Sequence, residues 1–150
     1  MIPEPITNYL YEHAVPFRAS EHPYDVTAQR TAQAAHVSGR RFGKTVVLEQ
    51  DGRYYLVVLP ATEHLDLAAA RELLGPNVRL ASEAEMARLF PSCEPGAMPP
   101  LGGLWGLPVL VDACLERQPT ITVNGGTHTD VIELRWDDFV AAEHPRIMTH

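Results

Sequence analysis

The sequence predicts a mixed α+β fold, and three observations carry that prediction. Two runs rich in β-branched residues, 44–50 and 53–59, flank Asp51-Gly52, the strongest short-range hairpin pattern. Ser82 and Glu85 form a capping-box pattern that opens a helix. Short strands and helices then follow one another without regular βα alternation, roughly six or seven strands with four or five helices.

In chain order, the first helix covers 3–13, with prolines near its start and Ile6, Tyr9, Leu10 and His13 at helical spacing. Residues 15–18 are short and extended, and His22-Pro23 marks a loop. Thr27 is placed to cap an alanine-rich helix over 28–36, which closes near Ser38-Gly39. Alternation along the first hairpin strand puts Lys44, Val46 and Leu48 on one face, and Thr45, Val47 and Glu49 on the other. Asp66 caps a helix over 67–74, with Gly75 at its end and Pro76 beyond. A short strand over 78–80 leads into the capping-box helix, which Pro91 stops near Phe90. An apolar strand over 107–111 ends at Asp112, and strands over 120–124 and 129–135 form a second hairpin. Asp137 is expected to cap a last helix over 138–142, and the tail from Glu143 onward is expected to be loose.

At 150 residues the chain is expected to form one domain over 1–150, with a core over about 15–140. No apolar run approaches the length of a membrane span, and the N-terminus lacks a secretory pattern, so a cytoplasmic location is expected. Two cysteines, Cys93 and Cys114, fit a reducing compartment and exclude a disulfide scaffold. A formal charge of −7 argues against duplex DNA as a partner, because such binding rests on neutralising many phosphates. Arg40, Arg41 and Lys44, with Arg30 upstream, still concentrate basic charge locally. That cluster is either a solvated face or a contact for one nucleic-acid terminus.

The most unusual stretch is 93–103, where eleven residues hold three prolines and three glycines. It is neither helix nor central strand, and it reads as a stiff loop whose backbone amides meet a ligand, or as a connector. Seven histidines show no HxH or HExxH pairing, the cysteines form no CxxC, and no phosphate-binding glycine motif occurs. No metal and no cofactor are therefore expected. Cys93 as a nucleophile with His128 as its base is one reading, and an inert core thiol is the commoner one. Lys44 is either a strand-edge lysine reaching for water or a cation that binds a phosphate or a developing oxyanion. Asp112 either caps the turn after its strand or binds an amine.

Together these stretches resemble the YbaK/EbsC-type aminoacyl-tRNA deacylases, the family that includes the editing domain inserted in bacterial prolyl-tRNA synthetases. The matching pieces are Thr27-Ala28-Gln29, Gly43-Lys44-Thr45-Val46-Val47-Leu48, Leu56-Val57-Val58-Leu59-Pro60-Ala61 with Asp66-Leu67, and Arg79-Leu80-Ala81. Then come Glu94-Pro95-Gly96-Ala97-Met98-Pro99-Pro100, Val111-Asp112 and Asn124-Gly125-Gly126-Thr127-His128. The likeness runs from about Val15 to Phe139.

The resemblance implies a mixed sheet of about six to seven strands, curled into a partial barrel with helices outside. It also implies hydrolysis of the ester joining a wrong amino acid to the 3′ end of a tRNA. The family's lysine corresponds to Lys44, its loop glycine to Gly96 and its pocket histidine to His128. Lys44 and Gly96 are accordingly expected to be catalytic, with Thr27, Thr45, Ala97, Met98, Asp112, Gly126 and His128 binding substrate. The expected activity is trans-editing of a small residue such as alanine, serine, threonine or cysteine on a tRNA such as tRNA-Pro. The expected partners are that tRNA's acceptor end and an aminoacyl-tRNA synthetase, with the chain a monomer or weak homodimer. The competing reading is a non-catalytic module that grips the acceptor end or a synthetase.

Overall fold

The structure, a computed structural model, describes residues 1–23, 32 and 38–149. The helix expected over 28–36, apart from Ala32, lies outside the described residues, as do Thr27 and Arg30.

Helix α1 (Glu4–Glu12) starts after Pro3 and buries Ile6, Tyr9 and Leu10, the stripe its spacing predicts. Strand β1 (Arg18–Glu21) runs along β7. Strands β2 (Phe42–Gln50) and β3 (Arg53–Pro60) pair through the expected hairpin. Asp51 and Gly52 both take positive φ, 49° and 85°, as a two-residue turn matching strand twist requires. Helix α2 (Leu67–Leu74) is capped by Asp66, whose carboxylate accepts from Ala68 N and Ala69 N. Strand β4 (Arg79–Leu80) precedes α3 (Glu83–Leu89), where Ser82 and Glu85 form the reciprocal capping box. Strand β5 (Val109–Asp112), the hairpin of β6 (Thr120–Asn124) and β7 (Asp130–Arg135), helix α4 (Trp136–Glu143) and β8 (Arg146–Met148) complete the order.

The eight described strands form one mixed sheet in the order β1-β7-β6-β2-β3-β5-β8, with β4 paired to β2 beside that path. The sheet has two ends, β1 and β8, and does not close into a barrel. β2 is its hub: antiparallel to β3 on one side, it meets β6 in parallel and β4 in antiparallel fashion on the other.

Two expectations fail at the C-terminus. Residues 146–148 are not loose: they pair in parallel with Leu110, Val111 and Asp112, and Met148 is buried. A three-residue strand is too short to show alternation, so its ladder partner decides it. Asp137 does not cap α4; the helix begins at Trp136, with Asp137 and Asp138 in its first turn, where their charges suit the helix dipole.

One face of the sheet carries the larger core, where Val47, Leu56, Val58, Ile121 and Val123 meet α1, Phe90, Met98 and Leu101. The other face carries Leu48, Val57, Leu59 and Leu110 under α2, and a small cluster of Phe42, Ala61, Val131 and Ala32.

Candidate active site

The turn over Glu94–Ala97 is a type II β-turn by sequence and by geometry. Pro95 sets the first central φ, Gly96 takes φ 84°, and Ala97 N donates to Glu94 O at 3.0 Å. An L side chain at Gly96 would be strained by that φ, although space exists: an added Cβ would stand 3.8 Å from His128 Cε1.

Four hydrogen bonds lock this turn to the loop after β6. Glu94 N donates to Gly126 O at 2.8 Å, and Gly126 N donates to Ala97 O at 2.9 Å. His128 N donates to a Glu94 carboxylate oxygen at 2.9 Å, and His128 Nε2 lies 3.0 Å from Pro95 O. A carbonyl only accepts, so Nε2 carries a proton and the ring is held as a donor on that side. Gly126, at φ 93°, leaves no room for a Cβ, which would fall 2.7 Å from Ile6 Cδ1 and 2.8 Å from Pro3 Cδ. Gly96, Ala97, Gly126 and His128 therefore form one constellation, built from two loops about thirty residues apart in sequence.

Within it, the Ala97 amide is engaged by its own turn, whereas the Gly96 N–H has no protein partner among the described residues. Of the four backbone amides in this constellation, that of Gly96 alone lacks a partner among the described residues.

Lys44 approaches from β2. Its neighbours in the parallel ladder are set by Phe42↔Thr122 and Gly43↔Val123, so the next step of that register brings Lys44 level with Asn124. Asn124 is two residues from Gly126. Burial pushes the Lys44 ammonium below the usual lysine pKa, and the Glu63 carboxylate partly offsets this. Asn124 is buried, and its Oδ1 has no hydrogen-bond partner among the described residues. A buried acceptor without a partner is costly unless something completes it, which makes Asn124 a candidate that sequence reasoning did not single out. The available cue was a strand-end asparagine before two glycines; its place beside Lys44 needed the β2–β6 pairing.

The other described site residues that were expected make none of these four hydrogen bonds. Thr45 faces the larger core with Val47, opposite to Lys44, as alternation requires. Its buried Oγ1 also has no hydrogen-bond partner among the described residues. Met98 is fully buried in that core. Asp112 is buried at the end of β5 and caps the next turn, its Oδ1 accepting from Cys114 N at 2.8 Å. The Cys93 thiol packs in the larger core, and burial pushes its pKa up to about 11. No group of three or more His, Cys, Asp or Glu side chains able to hold a metal occurs among the described residues. Nor, among them, is any helix long and apolar enough to cross a membrane.

Comparison with known proteins bears on the chain as a whole. The chain superposes on a solved protein described as a candidate trans-editing enzyme for prolyl tRNA synthetase, with TM-score 0.85 and 24% identity over 95% of this chain and 92% of that one. It also superposes on the hypothetical protein APE2540, with TM-score 0.86 and 23% identity over 96% of this chain and 97% of the other. At these identities the likeness establishes the fold, that of the YbaK-like editing proteins. No curated protein matches in sequence. The sequence profile of the aminoacyl-tRNA editing domain matches residues 22–142, most of the chain. The protein belongs to the aminoacyl-tRNA editing domain family.

Proposed function

We propose that the protein, acting as one editing domain over its whole length, is a trans-acting hydrolase that removes a small, wrongly attached amino acid from the 3′ end of a tRNA such as tRNA-Pro. The observation that carries this reading is the open Gly96 N–H, held by a proline-stiffened turn that is hydrogen-bonded to the Gly126–His128 loop. An aminoacyl ester is already activated, so the protein needs no strong nucleophile. It has to place water or a ribose hydroxyl on the carbonyl and stabilise the charge that develops on oxygen. The Gly96 amide donates to that oxygen, and its pre-set geometry avoids reorganisation at the moment of reaction. Lys44 adds positive potential from the neighbouring strand. Asn124 Oδ1 accepts a hydrogen bond from the substrate's amino group, which completes an otherwise orphaned acceptor. His128 lines the amino-acid pocket, whose size sets which residue is removed.

The test is a panel of tRNAs mischarged with alanine, serine, threonine or cysteine, each scored for release at substoichiometric protein. Turnover of at least one ester is expected, and Lys44→Ala is expected to lower its rate by about a hundredfold or more, the usual cost of a lost oxyanion contact, with an unchanged melting temperature. Stoichiometric protection without release would establish the binding module instead.

A further inference from the structure

The fold sets a basic residue from a distant segment beside Arg40. Arg40, in the turn before β2, and Arg117, in the 3-10 turn after β5, line the same hollow of about 270 Å³. Thr62 and Gln118 add a hydroxyl and an amide to its wall, and Glu63 and Cys114 complete it. Neither guanidinium is in a salt bridge among the described residues. Glu63, which lines the hollow, carries a charge that acts on the Lys44 ammonium as well as on the Cys114 thiol.

Building on the editing reading, we propose that this hollow seats the phosphodiester leading to the terminal nucleotide of the tRNA. Two arginines lining one recess suit a phosphate, whose oxygens accept paired N–H donors from a guanidinium fork. A recess of this size takes a phosphate and part of its sugar, not a base-paired stem. The net charge of −7 repels the rest of the nucleic acid, so the contact orients the acceptor end rather than gripping the duplex. With the phosphate held by Arg40 and Arg117, the Lys44 ammonium is left for the reacting carbonyl.

The probe is an uncharged acceptor-stem hairpin RNA with a single-stranded 3′ end, its binding followed by fluorescence anisotropy over a range of salt. Replacing Arg40 and Arg117 together by glutamine is expected to raise Kd about tenfold and to reduce the slope of log K against log salt by about 0.7, the value for one single-strand phosphate. A neutral methylphosphonate at the terminal linkage should reproduce that loss in the unaltered protein and add nothing to it in the variant. Glu63→Gln should tighten binding. Unchanged affinity in the glutamine variant, losses that add, or no RNA binding by the unaltered protein would each overturn the proposal. RNA binding of the expected kind with no release of any amino acid would refute the editing reading and leave the phosphate seat standing.

Discussion

Lys44 and Cys93 show how one side chain's surroundings select its chemistry. The Lys44 ammonium sits in a half-buried position that lowers its pKa. If its charge stabilises the transition state, deacylation should fall on the alkaline side at a pH below the usual lysine value of 10.5, as the ammonium is lost early. A rate profile corrected for spontaneous ester hydrolysis reads this directly, and a limb at or above 10.5 would remove the Lys44 charge from the mechanism. Cys93 is the opposite case. Burial raises its pKa to about 11, so almost no thiolate exists at neutral pH. Cys93→Ser should retain full turnover in the deacylation assay, with at most a modest loss of stability from placing a hydroxyl in the core. Loss of activity would revive the thiol mechanism. The pattern around Lys44 was legible in the sequence because strand alternation separates it from Thr45. Its place level with Asn124 was not, since it follows from a parallel ladder whose paired residues, Phe42 with Thr122 and Gly43 with Val123, are far apart in sequence.

Local chemistry settled the elements that carry their own capping and turn residues. Asp51-Gly52, Asp66, and Ser82 with Glu85 each satisfy backbone donors or positive φ within a few residues, so their elements appear where sequence reading puts them. Glu85 carries a further load. Arg79 donates to it from Nη1 and Nη2, Ser82 N donates to it, and Tyr54 Oη donates to it at 2.5 Å. These contacts, the Arg79 hydrogen bonds first, hold its carboxyl well below the ordinary value of 4.5. Its folded pKa is depressed, so its contribution to stability is present above about pH 4.5 and is lost as pH falls toward the folded value. Glu85→Gln should therefore lower the melting temperature at neutral pH and flatten its decline below pH 4.5. Parallel declines for both proteins would show that Glu85 does not couple to folding. The failed cap at Asp137 belongs to this scale too: two adjacent aspartates fit a first turn as well as a cap, and only the backbone at Arg135 decides which.

Across the whole molecule, β8 ties the C-terminal residues into the sheet beside β5, where Met148 joins Leu110 and Leu59 beneath α2. Met148→Ala should cost about 2 kcal/mol or more, the usual range for a buried methionine, which lowers the melting temperature by about 4–8 °C in a chain this size. A loose tail would leave it unchanged. What the sequence alone determined is everything satisfied nearby: the α+β class, the capped helices, the hairpins, and the stiff turn at Pro95-Gly96. Tertiary structure alone decided that this turn bonds to the Gly126 loop, that Arg40 shares a hollow with Arg117, and that residues 146–148 form a strand. Those contacts join segments far apart in the chain, and their energy depends on sheet order and burial, which no local pattern encodes.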